Sequence, residues 1–168
     1  MKFWHCFLYL FGVGVFSFLA GRITPKSCFD PQKFPYQSFR FEKNGAIYES
    51  LKIRKWQKKA PDMSKWFPRL IPKKQLPPDP FAALPSMVTE TCIAEITHVF
   101  LAITALYCLV LWPGLGGVIV TFLYEIFNLP YILIQRYNRP RLLALAERYE
   151  KRCKESSIGE EEEEPVGA

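Results

Sequence analysis

The chain has 168 residues, of which 49% are hydrophobic, 15% are aromatic and 23% are charged, with a formal net charge of +6. This composition excludes a wholly disordered protein, because disordered chains are poor in aromatic residues. The charges are unevenly placed: long apolar runs alternate with segments that hold nearly all of the Lys and Arg. That alternation argues against an ordinary soluble domain and indicates a membrane protein.

The first apolar run covers residues 3–20 and contains no Lys, Arg, Asp or Glu. Its length is about the minimum for a helix that crosses a bilayer. A cleaved signal peptide is the alternative, but a candidate cleavage after Ala20 would put bulky Phe18 where a small residue is expected, and the cations follow the run rather than precede it. We therefore predict an uncleaved transmembrane anchor over residues 1–21.

Residues 22–89 form a basic loop with 14 Lys or Arg and five acidic residues. Its first half mixes aromatic and basic side chains, Trp56 and Lys58 among them. Such a mixture suits the headgroup zone of a bilayer, where each cation contributes about 1 kcal/mol. It can also stack on single-stranded nucleic acid, but transmembrane spans on both sides favour lipid, so we predict membrane lipids as partners and no nucleic acid.

Prolines are dense in the second half of this loop, and they exclude a long helix between residues 61 and 85. Ser86 and Thr89 are competent N-caps for the helix that follows. Residues 93–112 would measure about 30 Å as a helix, which matches the hydrocarbon core of a bilayer. The segment 113–117, Pro-Gly-Leu-Gly-Gly, then breaks the helix, and a second apolar run follows, so we predict a transmembrane helical hairpin over 90–135.

The distribution of cations predicts the orientation of these spans. Residues 136–154 carry seven Lys or Arg, and the turn at 113–117 carries none. Because basic flanks stay in the cytoplasm, the loop and the C-terminus are predicted inside the cell, in a multi-pass protein of the cell membrane. Residues 136–154 are predicted as a basic cytoplasmic motif and helix, and 155–168, with five consecutive Glu, as an acidic disordered tail. The predicted fold class is an all-α membrane protein with about three transmembrane helices.

Three ionisable residues, Glu90, Glu95 and His98, open the second span, and they share one helical face within roughly 140°. Ionisable side chains at a membrane edge are rare enough to be treated as functional candidates. A carboxylate that accepts one imidazole N–H makes the other nitrogen a better base for a hydroxyl nucleophile. The alternative is structural: Glu90 favoured by the helix dipole, with Glu95 and His98 bonding to other helices.

The pair Glu95 and His98 also has the spacing found on one helix of a di-iron carboxylate site. Such a site needs a second copy of the pattern, and the only other histidine, His5, has no Glu three positions before it. The five cysteines include no CxxC pair, which disfavours a zinc site and a disulfide framework. We therefore predict no metal and no cofactor.

The third span and its cytoplasmic end carry further polar residues. Glu125 and Asn128 share a face, which fits either a polar pocket or a structural hydrogen bond between helices. The segment 135–141, Gln-Arg-Tyr-Asn-Arg-Pro-Arg, places three guanidiniums where forked donors can bind phosphate or carboxylate. We expect Pro140 to interrupt the helix there, and simple positive-inside anchoring would not explain the Asn and Pro.

These blocks resemble the glycosyl-4,4'-diaponeurosporenoate acyltransferase family of carotenoid biosynthesis over roughly residues 36–145. The resemblance is carried by Gln-Arg-Tyr-Asn-Arg-Pro-Arg-Leu at 135–142 with Asn-Leu-Pro at 128–130, by Glu-x3-Ala-Glu-x2-His at 90–98, and by the loop segments 41–45 and 54–58.

The resemblance implies a membrane-bound enzyme that transfers a fatty acyl group to a sugar hydroxyl of a glycosylated carotenoid. His98 would be the general base and Glu95 or Glu90 its orienting partner. The acyl donor, expected to be an acyl-CoA that acts as co-substrate, and the glycosylated carotenoid acceptor would be the partners. The implied substrate-binding and donor-binding residues are Asn128, Gln135, Arg136, Tyr137, Asn138, Arg139, Arg141, Trp56 and Lys58. Two alternatives stay open: a non-catalytic membrane subunit of a lipid-modifying complex, and an acyltransferase that acts on another glycolipid.

Overall fold

The computed structural model describes residues 1–60 and 80–162. Within them every regular element is helical, which confirms the predicted all-α class. The α-helices are α1 (Lys2–Ile23), α2 (Ile47–Ser50), α3 (Ile53–Trp56), α4 (Pro80–Ala105), α5 (Cys108–Leu111) and α6 (Leu115–Glu162), with 3₁₀ turns at Lys26–Cys28, Arg40–Gly45 and Gln57–Lys59. Most of the proline-rich half of the loop, residues 61–79, and the end of the tail, 163–168, lie outside the described residues.

Three stretches are long and apolar enough to cross a membrane: Lys2–Ile23, Ala83–Leu111 and Leu115–Glu155. Large apolar side chains on their outer faces are exposed, including Phe11, Ile103, Phe122 and Phe127. A soluble protein rarely exposes an apolar surface of this extent, whereas a lipid environment would solvate it. The three predicted spans are thus present as helices.

The hairpin between α4 and α6 turns where the glycines predict it. Gly114 has φ +98, in the left-handed region that favours glycine. A Cβ on Gly116 would lie 2.1 Å from the Trp112 ring, and one on Gly117 would lie 2.1 Å from the Trp112 carbonyl oxygen. The close approach of the Trp112 side chain and backbone therefore requires glycine at both positions.

The expectation that Pro140 interrupts the helix is wrong, because α6 continues through both Pro130 and Pro140. A proline removes one backbone hydrogen bond, and the rest of the ladder persists on either side of it. Gly45 of the loop lies against this point: a Cβ there would be 3.3 Å from Pro140 Cγ and 3.9 Å from the Arg136 carbonyl oxygen. The carbonyl that Pro140 leaves without its helical partner thus faces the loop.

The helix also extends into the predicted disordered tail, since α6 runs to Glu162. Salt bridges at i,i+4 spacing, Lys154–Glu150 and Lys151–Glu155, favour this extension. At the other end of the hairpin, α4 begins at Pro80 rather than near Ser86. Thr89 does not cap the helix: its hydroxyl donates back to the Pro85 carbonyl within it.

Helix α1 packs against the hairpin, and the loop packs against the C-terminal half of α6. The Tyr9 hydroxyl donates to the Thr104 carbonyl at 3.0 Å. The loop contributes Tyr48 and Ile53 to a buried cluster with Ile134 and Tyr137 of α6. This second contact brings the loop to the end of the hairpin that carries the arginine-rich motif.

The contact between α1 and the hairpin predicts a cross-link. Cys6 and Cys108 are both fully buried, and Cys6 Sγ lies 3.9 Å from the Cys108 carbonyl oxygen. A Cys28→Ser, Cys153→Ser variant keeps three thiols, all of which maleimide should label after denaturation. Oxidation with copper phenanthroline should join Cys6 to Cys108 and leave one labelled thiol. The same protein carrying Cys108→Ser should keep both remaining thiols. Three labelled thiols after oxidation would contradict the packing of α1.

Candidate functional site

The most buried charges lie where the loop meets α4 and α6. Arg136 Nε donates to Glu95 Oε1 at 2.7 Å, and Arg139 Nη2 donates to Glu95 Oε2. The exposed fractions of the side chains are 10% for Arg136, 3% for Arg139 and 5% for Glu95. Breaking a buried pair of this kind is costly, because it leaves a charge away from water without its partner. Glu95 is therefore held on both oxygens by guanidiniums from α6.

A second carboxylate, Glu42 of the loop, completes the pairing of charges. Glu42 Oε1 accepts from Arg136 Nη1 at 2.7 Å and from the Tyr48 hydroxyl at 2.6 Å. Glu42 Oε2 accepts from the Phe39 backbone N–H at 2.9 Å. Burial and the bond to Glu42 raise the pKa of Tyr48 above its ordinary value, so the phenol stays protonated and keeps donating. Two buried cations thus face two buried anions.

Both arginines also donate to backbone and side-chain oxygens of the protein. Arg136 Nη2 donates to the Pro35 carbonyl and Arg139 Nη1 to the Tyr36 carbonyl, at 2.7 and 2.6 Å. Arg139 also donates to the hydroxyl and the carbonyl of Thr91. Consecutive carbonyls of the loop are therefore tethered to α6. The forks of Arg136 and Arg139 thus bind the protein's own oxygens, and their binding of a substrate anion stays a prediction.

Arg141 differs from the other two because it is partly exposed. Its Nη2 donates to Glu49 at 2.5 Å, and its guanidinium lies 4.0 Å from the centroid of the Tyr137 ring. The side chains in this ion pair are 46% and 61% exposed. A pair so exposed contributes little to stability and exchanges readily with another anion. Of the three arginines, Arg141 is the one whose geometry suits anion binding from solvent.

His98 lies one turn further along α4 and contacts α6. Its Nδ1 is 2.9 Å from Asn128 Oδ1, and its ring stacks on Tyr131 at 4.6 Å. Asn128 Nδ2 donates to the Tyr124 carbonyl, which turns Oδ1 towards the imidazole. An amide oxygen only accepts, so Nδ1 carries the proton and Nε2 is the basic nitrogen of the neutral ring.

The orienting partner of His98 in these contacts is therefore an amide and not a carboxylate, contrary to our expectation. Glu95 is committed to the two guanidiniums, and Glu90 lies at the surface, 3.7 Å from Lys26 Nζ. Guanidinium outcompetes imidazole for a carboxylate because it is always charged and donates in parallel pairs. For Asn128, the hydrogen bond between helices that we left open is present.

The other predicted binding residues are divided between this region and the loop. Tyr137 is buried in the contact between α6 and the loop. Gln135 is also buried, and Asn138 is half-buried. Trp56 packs on the cluster around Tyr48 and donates to the Leu51 carbonyl. Lys58 is exposed. The contacts of Trp56 and Lys58 do not join them to His98. The sequence did not single out Glu42, Thr91 and Tyr131, which contact Arg136, Arg139 and His98. Glu42 and Thr91 nevertheless fall in the 41–45 and 90–98 segments.

A pocket with a volume of about 250 Å³ lies beside the Glu95 and Arg136 pair. Its lining combines loop residues with residues of α4 and α6, and most of its surface is apolar. This arrangement places an apolar space next to the buried charges, at the same end of the hairpin as His98.

These features define a class: a helical protein with membrane-length spans and a polar site between its hairpin and a tethered loop. The family model for glycosyl-4,4'-diaponeurosporenoate acyltransferase matches residues 31–148, which hold the whole site. The chain belongs to this family of acyltransferases. It is 31% identical over 126 residues to the proteins of that name from Staphylococcus aureus strains MRSA252 and USA300, covering 74% of this chain and 76% of each relative. No solved structure matches the chain.

Proposed function

We propose that this protein esterifies a sugar hydroxyl of a glycosylated carotenoid with a fatty acyl group. The family and the names of its relatives support acyl transfer to a glycosyl carotenoid acid. The observation that carries the proposal is the hydrogen bond between His98 and Asn128, because it fixes the tautomer in which Nε2 is basic.

In the proposed reaction, His98 Nε2 takes the proton of the sugar hydroxyl as its oxygen attacks the thioester carbonyl of the acyl donor. The new C–O ester bond forms and the C–S bond breaks. The imidazolium then returns the proton to the departing thiolate. Asn128 acts as a positioning residue, since its amide oxygen holds the imidazole.

Arg136 and Arg139 are assigned a supporting role in this proposal. They hold residues 35, 36 and 42 of the loop against the hairpin, and so shape the space next to His98. The exposed cations, Arg141 and Lys58 among them, would attract the phosphates of an acyl-CoA donor. Such a donor is soluble, whereas the carotenoid and its sugar would reach the site from the bilayer.

We also propose that the loop and the C-terminus are cytoplasmic in a multi-pass protein of the cell membrane. Two exposed cysteines, Cys28 and Cys153, flank the hairpin and are native reporters of this orientation. A membrane-impermeant maleimide should label both in inverted vesicles and neither in intact cells. Labelling of one cysteine from each side would contradict the proposed orientation and separate the loop from the arginine-rich motif.

The proposed activity predicts a change in the pigments of the cell. Lipid extracts from cells with and without the chain should differ by one carotenoid glycoside that carries a fatty acyl ester, present only when the chain is expressed. Removing the chain should leave the unacylated glycoside to accumulate. An unchanged pigment profile with loss of a different acylated glycolipid would overturn the carotenoid acceptor and favour the glycolipid alternative.

A further inference from the structure

The pocket beside the Glu95 and Arg136 pair has walls that are almost entirely hydrocarbon. Phe34 and Phe39 of the loop, Ile96 and Val99 of α4 and Ile132 of α6 contribute this apolar lining. Phe39 also stacks on the Arg136 guanidinium, at 4.5 Å from its ring centroid. The cation is thereby covered by an aromatic ring on the side of the pocket.

Each nitrogen or oxygen of the charged groups at the pocket already has at least one partner in the protein. The three nitrogens of the Arg136 guanidinium donate to Glu95, Glu42 and the Pro35 carbonyl. Both oxygens of Glu95 accept from arginine. Among the described residues no buried side-chain nitrogen or oxygen lacks a partner. A sugar or a phosphate in this space would exchange many hydrogen bonds to water for few to the protein, so the chemistry of the walls fits a hydrocarbon.

The size of the pocket indicates which of the two hydrocarbons in the proposed reaction it binds, the fatty acyl chain or the carotenoid polyene. About 250 Å³ is less than the range of roughly 300–1,000 Å³ for sites that enclose a whole small molecule. A saturated acyl chain is flexible and can fold one segment into such a space. A conjugated polyene is a stiff rod that needs a long straight groove.

The pocket is also next to the proposed base along both helices. Val99 follows His98 in α4, and Ile132 follows Tyr131, the residue whose ring stacks on His98. His98 does not line the pocket, but it is at the same level of α4 as Val99. In the proposed complex, a chain held between Val99 and Ile132 extends its carbonyl end around α4 to the imidazole. We propose that this pocket binds the hydrocarbon chain of the fatty acyl donor and sets its preferred length. The inference rests on the proposed function, because it assigns one of its two substrates.

Changing the volume of the pocket tests this assignment. Val99→Phe and Ile132→Phe would fill it, and Val99→Ala would enlarge it. Each variant is given a mixture of acyl-CoA donors of different chain lengths, and the acyl chains of the product are measured by mass spectrometry. The measured quantity is the ratio of two products, one with the preferred acyl chain and one with a chain two carbons shorter. Filling the pocket should shift this ratio roughly tenfold in favour of the shorter chain. Val99→Ala should shift the products towards longer chains.

Ile103→Phe is the matched control, because Ile103 is on the same helix and is 63% exposed on its outer face. It should leave the chain-length ratio unchanged. Equal ratios in the wild type and in all three pocket variants would overturn the assignment while acyl transfer itself stands. A higher KM for the carotenoid with an unchanged ratio would overturn it in favour of the polyene.

Photolabelling with an acyl-CoA tests whether the pocket binds the acyl chain even if no acyl transfer is detected. An acyl-CoA with a photoreactive group at the end of its chain should label peptides that contain Phe34 or Phe39, and Ile132→Phe should reduce that labelling. Labelling without any acyl transfer would support the pocket and overturn the proposed reaction. Absence of labelling in these peptides, with transfer intact, would overturn the pocket alone.

Discussion

Replacing His98 with alanine is expected to lower kcat for acyl transfer by ~10²–10⁴-fold, the usual contribution of a general base. His98→Gln should fall by a similar factor, because glutamine keeps hydrogen-bonding atoms but does not take up the proton. The measurement is the initial rate of ester formation by the purified variants, normalised to the amount of folded protein. KM for the acyl donor should change little, since the imidazole is not assigned to its binding.

His5→Ala is the matched control, because His5 is the only other histidine and is exposed on α1. It should retain the wild-type rate. If His98→Ala and His98→Gln accumulate normally and also retain full activity, His98 is not the base and the proposed mechanism is eliminated.

Replacing Glu95 with glutamine is expected to cause the largest loss of stability. The change leaves Arg136 and Arg139 buried with one anion fewer, and breaking a buried ion pair costs ~3–5 kcal/mol. The midpoint of thermal unfolding in detergent should fall. Because both arginines tether the loop, trypsin should also cleave faster at Lys33 and Lys43, which flank the tethered residues.

Glu49→Gln is the matched control for this prediction, since Glu49 also pairs with an arginine but is 61% exposed. An exposed pair contributes only ~0–1 kcal/mol, so the unfolding midpoint should hardly move. Equal midpoints for Glu95→Gln and the wild type, with unchanged trypsin cleavage, would show that the buried cluster does not hold the loop.

The helices were predictable because their signal is local. Apolar runs of membrane length, the Pro-Gly turn and the glycines after it are all read from consecutive residues. The two prolines within α6 were harder, because whether a proline ends a helix depends on what stabilises the residues on either side. At Pro140 the loop packs against the helix through Gly45, which lies far away in the sequence.

The sequence indicated which residues belong to the candidate site but not which of them form hydrogen bonds and ion pairs with each other. Shared helical faces placed Glu95 with His98 in the second span and Glu125 with Asn128 in the third, yet spacing does not decide which acid takes which cation. Arg136 is 41 residues from Glu95 and 94 from Glu42, and such contacts exist only after the loop docks. Competition between guanidinium and imidazole then assigned Glu95 to the arginines and left an amide to orient His98.

The most direct test of the proposed enzyme uses the purified chain alone in detergent. It is given a fatty acyl-CoA and a glycosylated carotenoid, and the products are identified by mass. We expect an acyl ester of the glycoside to form with wild-type protein and His5→Ala but not with His98→Gln. Ester formation only after a second protein is added, or at the same rate in His98→Gln, would contradict it.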